Sequence, residues 1–135
     1  MAWKFIRLAH WRAWLIVAAL IPLAAVAPPA RAAGTVTCTY TVTTSWPGGF
    51  SANVDITNNG PVINGWTLRW TFTTPTADVQ AWSAIITEQD GNRATATNLS
   101  WNGTILTGKT TSFGWSAAAV LTGVPTDLTI NGTPC

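Results

Sequence analysis

Apolar and polar residues alternate with a period of two through most of the chain beyond residue 34. The clearest runs have these apolar members: Val36, Cys38, Tyr40 and Val42; Phe50, Ala52, Val54 and Ile56; and Trp66, Leu68, Trp70 and Phe72. Further runs of strand-forming residues span residues 79–88, 93–98, 110–119 and 128–130. Because successive side chains of a β-strand point to opposite faces, each clear run predicts a strand with one buried face.

Turn-forming residues separate the runs. Glycine, proline or Asn–Gly pairs occur at residues 47–49, 58–61, 90–91, 102–103, 107–108 and 123–125. The runs are rich in threonine and valine, which favour strands, and no stretch has a helical period or a tandem repeat. Short strands at this spacing predict an all-β fold, an antiparallel β-sandwich of jelly-roll or immunoglobulin-like type.

Residues 1–32 have the composition of a secretory signal peptide. Lys4, Arg7 and Arg12 form a basic head, an apolar stretch follows, and residues 30–32 are the small-residue motif Ala-Arg-Ala. A membrane anchor is the alternative, but the uninterrupted apolar core is shorter than the roughly 20 residues that a spanning helix needs. We expect cleavage after Ala32, which leaves residues 33–135 as one secreted, extracellular domain with no attachment to the membrane.

Removing this leader changes the charge of the chain. The leader carries four of the seven basic residues and the single histidine, His10. Three basic and five acidic residues are left, a net charge of −2. No basic stripe is left to neutralise phosphates, so nucleic acid is not an expected partner. About 100 residues suffice for one domain, which we expect to be a monomer.

Cys38 and Cys135 are the two cysteines of the chain. In a secreted protein an even pair indicates a disulfide, which here would join the two ends of the domain. A two-cysteine metal site is the alternative, but the domain has no histidine to complete a four-ligand set. We therefore expect a disulfide, no metal and no cofactor, and chain ends that lie side by side.

Six tryptophans follow the leader, more than a core of this size holds. Trp66, Trp70 and Trp115 are in phase with the apolar residues of their runs, so we expect these three in the core. Trp82 is undecided by the pattern, because neither alternating face of residues 81–86 is clearly apolar.

Trp46 and Trp101 stand at turns instead. Trp46 precedes Pro-Gly-Gly and Trp101 precedes Asn-Gly. Loops lie at the surface, and a large apolar ring left in water there usually marks a binding site. The alternative is that each ring folds over its own turn as a lid on the core.

Several motifs together resemble one known family. In order they are SWPGGFSANVDITN (45–58), INGWTLRWTF (63–72), QAW (80–82), SWNG (100–103), SFGW (112–115) and LTINGTPC (128–135). The series covers the chain from about residue 34 to Cys135 and is similar to the bacterial family 2 carbohydrate-binding modules that accompany cellulases and xylanases. The resemblance implies a β-sandwich with a terminal disulfide and a face of three coplanar tryptophans. Such a face holds insoluble polysaccharide, above all crystalline cellulose, without catalysis.

The resemblance also assigns residues to the site. By position the three tryptophans match Trp46, Trp82 and Trp101, which places Trp82 at the surface. The same correspondence gives contacts with sugar hydroxyls to four polar residues: Asn53, Gln80, Ser112 and Ser116. The two serines stand where longer amides are common in the family.

Gly49 bears on specificity. The xylan-binding subgroup of the family has an arginine at this position, which props the preceding tryptophan ring out of the plane of the sheet. With glycine there, the Trp46 ring should lie flat, so the resemblance implies cellulose as the partner, with chitin or xylan bound more weakly. Turn geometry alone would also explain a glycine here.

Two other function classes compete with polysaccharide binding. A glycosidase normally needs two facing carboxylates, whereas Glu88 and Asp90 adjoin an Asp–Gly turn where acids are ordinary solvated residues. The domain has no histidine to bind copper for the oxygenation of polysaccharides or to act as the base of a serine nucleophile. We therefore expect that the domain is not an enzyme and has no catalytic residue. A protein-binding surface protein is the second alternative, because flat aromatic patches also bind proteins.

Overall fold

The computed structural model describes residues 35–135, and the predicted leader lies outside the described residues. Eleven strands and no helix occur there, so this part of the chain offers no helix for crossing a membrane. In chain order the strands are β1 (Val36–Trp46), β2 (Gly49–Asn58), β3 (Ile63–Asn64), β4 (Thr67–Thr71), β5 (Thr76–Trp82), β6 (Ala84–Asp90), β7 (Arg93–Asn98), β8 (Thr104–Ile105), β9 (Thr110–Ala119), β10 (Thr129–Ile130) and β11 (Thr133–Pro134).

The strands form two main antiparallel sheets. A four-stranded sheet has the order β1-β2-β9-β5, and a five-stranded sheet has the order β11-β10-β4-β7-β6. The short strands β3 and β8 pair separately. The predicted all-β antiparallel sandwich is confirmed.

One aromatic core joins the two sheets. Trp70 on β4 stacks on Trp115 on β9 with ring centroids 4.7 Å apart, and Trp66 stacks on Phe113 at 5.3 Å. The edge of Tyr40 packs against Trp115, and burial there raises the pKa of the tyrosine hydroxyl. All three tryptophans that were predicted in the core are at most 2% exposed, which confirms that prediction.

The run at residues 79–88 is not one strand, contrary to the pattern. β5 ends at Trp82 in the four-stranded sheet, and β6 begins at Ala84 in the five-stranded sheet. Between them Ser83 has a φ of 62°, a left-handed conformation at the corner where the chain passes from one sheet to the other. The period of two is interrupted there, because each sheet has its own inward face.

The predicted disulfide between Cys38 and Cys135 is confirmed. The two Cα atoms lie 5.2 Å apart across a sequence separation of 97 residues. Cys38 also donates its backbone N–H to the carbonyl oxygen of Cys135. The two ends of the described domain therefore lie side by side.

Candidate functional site

Three tryptophans lie outside the core. Trp46 at the end of β1 is 45% exposed, Trp82 at the end of β5 is 48% exposed, and Trp101 in the loop between β7 and β8 is 69% exposed. None of them belongs to the buried cluster, so the alternative of a lid on the core is wrong. The surface position that the resemblance implies for Trp82 is confirmed.

Trp46 packs over a glycine of the neighbouring strand. It pairs with Gly49 across the β1–β2 hairpin, and Phe50 next to Gly49 is buried, so Gly49 faces outward from the sheet. A Cβ atom at Gly49 would lie 2.6 Å from Nε1 of Trp46 and 2.8 Å from the carbonyl oxygen of Ala117. The indole therefore occupies the space directly above Gly49.

Trp82 repeats this arrangement on the opposite edge strand of the same sheet. It pairs with Gly114 on β9, which faces outward between the buried residues Phe113 and Trp115. A Cβ atom at Gly114 would lie 2.5 Å from Cζ2 of Trp82. The sequence analysis did not single out Gly114, although a glycine in an outward position of an otherwise regular strand was an available signal.

The two rings therefore share the outer face of the four-stranded sheet. Gly49 pairs with Ala118, which lies four residues beyond Gly114 on β9. Four residues at about 3.3 Å each and one strand spacing of about 4.8 Å place the two glycines roughly 14 Å apart. Ser116 faces outward between them on β9.

The Trp101 loop is held by the buried side chain of Asn102. Its Oδ1 atom accepts a hydrogen bond from the backbone N–H of Leu99 at 2.8 Å, and its Nδ2 atom donates to the carbonyl oxygen of Ser83 at 2.6 Å. Ser83 directly follows Trp82. One side chain thus connects the loop that carries Trp101 to the strand end that carries Trp82.

Gln80 and Ser116 lie beside Trp46. Together with Asp78 they line an open groove of about 230 Å³ at the end of the β1–β2 hairpin. The sequence analysis missed Asp78, because the residue stands in a β-bulge that the alternating pattern does not reveal. The register of β5 against β9 shifts there, between Ala77 and Gln80.

Asn53 and Ser112 also lie on this face and are linked by Asp55. The Nδ2 atom of Asn53 and the hydroxyl of Ser112 both donate to Oδ1 of Asp55, at 2.8 Å and 2.6 Å. The carboxylate therefore fixes the orientation of both side chains. Within residues 35–135 no group of three or more His, Cys, Asp or Glu side chains is placed to hold a metal ion.

Comparison with known proteins finds relatives that are named as a chitinase and an endoglucanase. The curated relatives include chitinase C of Streptomyces lividans, 35% identical over 133 residues that cover 96% of this chain and 21% of the chitinase. Endoglucanase CelA of Streptomyces lividans is 42% identical over 114 residues, which cover 80% of this chain and 24% of the endoglucanase. The chain thus spans about a quarter or less of the length of these two relatives.

A solved structure and a family profile complete the comparison. The solution structure of the chitin-binding domain of Chi18aC from Streptomyces coelicolor matches with a TM-score of 0.62 at 33% identity, covering 75% of this chain and 94% of that domain. The profile of the family described as "Cellulose binding domain" matches residues 36–135. The chain belongs to this family, the family 2 carbohydrate-binding modules, which bind polysaccharide and are not catalytic.

Proposed function

We propose that the domain binds insoluble β-1,4-glucan, above all crystalline cellulose, on the outer face of its four-stranded sheet. The observation that carries this proposal is the seating of Trp46 and Trp82 over outward-facing glycines while nearly half of each residue stays exposed. A pyranose ring presents an apolar face of C–H groups, and a flat indole that covers it removes water from both surfaces. Trp101 supplies the third ring.

The position of the rings on a sheet favours binding. Because the strands are already ordered, contact with a polysaccharide chain immobilises few additional side chains. An aromatic anchor of this kind typically costs about 2 kcal/mol or more of binding free energy when it is truncated. Gln80, Ser116, Asn53 and Ser112 are the proposed partners of sugar hydroxyls, which orient the chain on the rings.

Chitin and xylan are proposed as weaker ligands. Chitin has the same backbone linkage as cellulose but carries bulky acetamido groups, which restrict how closely its rings approach a flat face. Xylan adopts a twisted chain. Its sugar rings therefore stack less closely on two indole rings of one rigid sheet face than the sugar rings of a flat chain do. Gly49 keeps the space for the Trp46 ring against that face.

Adsorption of single variants to microcrystalline cellulose tests the proposal. Trp46→Ala, Trp82→Ala and Trp101→Ala should each lower the affinity for cellulose at least tenfold with little change in the thermal midpoint, because the rings are exposed. Trp70→Ala should instead lower the free energy of unfolding by about 3–5 kcal/mol, since it leaves a cavity in the core. Val124→Ala is the control, because Val124 is a 55% exposed apolar residue in the loop between β9 and β10 and belongs to no strand of the four-stranded sheet.

Parallel isotherms on insoluble xylan, chitin and albumin-coated beads decide between ligand classes. Cellulose adsorption should exceed adsorption to both other polysaccharides, and albumin should retain nothing. Wild-type levels of cellulose adsorption in the folded Trp46→Ala and Trp82→Ala variants would exclude the tryptophan face. Retention on albumin instead of cellulose would favour the protein-binding alternative.

We propose that the domain works outside the cell, because the leader has the composition of a secretory signal peptide. We also propose that it works as a monomer. Cleavage after Ala32 predicts a secreted protein that begins at Ala33 and lacks two hydrogens because of the Cys38–Cys135 bridge. Intact mass spectrometry of the culture supernatant measures both features. A membrane-retained protein of full-length mass would contradict the cleavage.

A further inference from the structure

The groove beside Trp46 contains a carboxylate that cellulose does not require. Asp78 lines this groove together with Gln80 and Ser116, and it stands in the bulge of β5 with a φ of 52°. Aspartate tolerates this left-handed region better than most residues, and bulges re-aim side chains next to binding sites.

The bulge is fixed from the neighbouring sheet. Gln89 on β6 donates from Nε2 to the carbonyl oxygen of Thr76 at 3.2 Å, and its Oε1 atom accepts from the backbone N–H of Val79 at 3.4 Å. The two contacts hold the backbone on both sides of Asp78. The carboxylate is therefore presented from a braced position on the rim of the groove.

Basic residues lie away from this groove. Arg69 and Arg93 line a separate cleft of the five-stranded sheet. Lys109 adjoins the start of β9, whereas the groove adjoins the other end of that strand. None of the three basic residues of the described chain therefore lines the groove that contains Asp78, which makes the groove favourable for a positively charged ligand.

We propose that the groove is a subsite for a protonated amino sugar, so that the domain also retains β-1,4-linked glucosamine, which is chitin without its acetyl groups. The ring of glucosamine keeps the C–H face that stacks on Trp46, and its ammonium group can pair with the carboxylate of Asp78. Glucose and N-acetylglucosamine present no charge to that carboxylate. This inference rests on the proposed function, because the same indole carries the sugar.

The test compares adsorption of the protein to chitin beads and to the same beads after chemical deacetylation, in mildly acidic buffer of low ionic strength. The wild type should bind the deacetylated beads more tightly. Asp78→Asn should lower that affinity about two- to fivefold, and added salt should weaken the wild type more than the variant. Asparagine also tolerates the left-handed conformation, so the bulge should persist, which an unchanged thermal midpoint verifies.

Asp127→Asn is the matched control, because it removes one negative charge from the other sheet. Two results would show attraction by net charge alone and overturn the subsite. One is an equal loss of affinity for deacetylated beads in Asp78→Asn and Asp127→Asn, and the other is wild-type retention on polylysine-coated beads equal to that on deacetylated beads. A Trp46→Ala variant that still prefers deacetylated beads would place the amino sugar elsewhere and also overturn it. Strong cellulose adsorption without any preference for deacetylated beads would overturn this inference alone, whereas failure of the wild type to adsorb to cellulose would contradict the proposed function.

Discussion

At the scale of single residues, a glycine under each ring decides where Trp46 and Trp82 lie. Any larger residue at Gly49 or Gly114 would place its Cβ atom within 2.6 Å of the indole that now covers it. Since neither glycine has a positive φ, backbone conformation does not require glycine at these two positions. Space for the indole is one physical reason for both glycines, and a backbone carbonyl oxygen 2.8 Å from each Cβ position, of Ala117 and of Ala52, is another, so turn geometry alone does not explain Gly49.

Replacing Gly49 by arginine should therefore move the Trp46 ring. The new side chain must displace the indole and also meets the carbonyl oxygen of Ala117 at 2.8 Å, so the ring should lift from the sheet. We expect Gly49→Arg to lose cellulose adsorption and to gain measurable xylan binding. Depletion isotherms on both polysaccharides measure the change.

Gly49→Ala separates two contributions to this effect. Alanine displaces the ring but is too short to prop it at a new angle, so cellulose adsorption should fall without a gain on xylan. Circular dichroism and the thermal midpoint establish that both variants are folded. Unchanged cellulose preference in a folded Gly49→Arg protein would return Gly49 to a purely structural role.

At the scale of elements, the site depends on how a loop and a strand end are joined. Trp101 is carried by the loop between β7 and β8, which has no ladder of its own to fix it. Asn102 provides the connection through its hydrogen bonds to Leu99 and Ser83. The Asn102 amide thus links the second ring to the third, and Trp66 Nε1 and the backbone N–H of Gly65 also hold the loop by donating to the carbonyl oxygens of Asn102 and Gly103.

Asn102→Ala should affect stability and binding together. It leaves the backbone N–H of Leu99 and the carbonyl oxygen of Ser83 without this partner, and because both groups are only partly buried the cost of each should lie toward the lower end of about 1–3 kcal/mol. Chemical denaturation should show this loss, and the folded variant should adsorb more weakly to cellulose although all three rings are intact. Asn59→Ala is the control, because Asn59 is exposed and its amide bonds only the hydroxyl of Thr37. A destabilised Asn102→Ala protein with full cellulose affinity would show that the loop position does not matter.

The sequence predicted the regular elements well and the irregular ones poorly. The runs at residues 93–98 and 110–119 coincide with β7 and β9, because both strands keep one inward face along their whole length. The pattern failed at Ser83, where the chain changes sheets, and at the bulge that carries Asp78. The surface position of Trp82 could not be deduced from alternation for the same reason, since the corner follows directly, and only the family resemblance assigned it.

At the scale of the whole molecule, the disulfide and the proposed binding groove beside Trp46 lie far apart. Cys38 is eight residues from Trp46 along β1, which at about 3.3 Å per residue corresponds to roughly 26 Å. The disulfide therefore lies toward one end of the four-stranded sheet and the Trp46 groove toward the other, while Trp82 pairs with Gly114, which is level with Asn53 and Thr41 in the middle of the sheet. Stability and binding should be separable by changes at these two ends.

Replacing both cysteines by alanine tests this separation. The bridge encloses 97 residues, and on the chain-entropy account a loop of that length stabilises the folded state by up to about 4–5 kcal/mol. We expect the Cys38→Ala/Cys135→Ala protein to lose a large part of that free energy of unfolding in urea denaturation. At a temperature where the variant is still folded, its cellulose isotherm should match that of the wild type, because no residue of the tryptophan face has changed. Reduction of the wild type under the same conditions provides the control without a substitution. Lost adsorption in a protein that is still folded would mean that the chain ends determine the geometry of the tryptophan face.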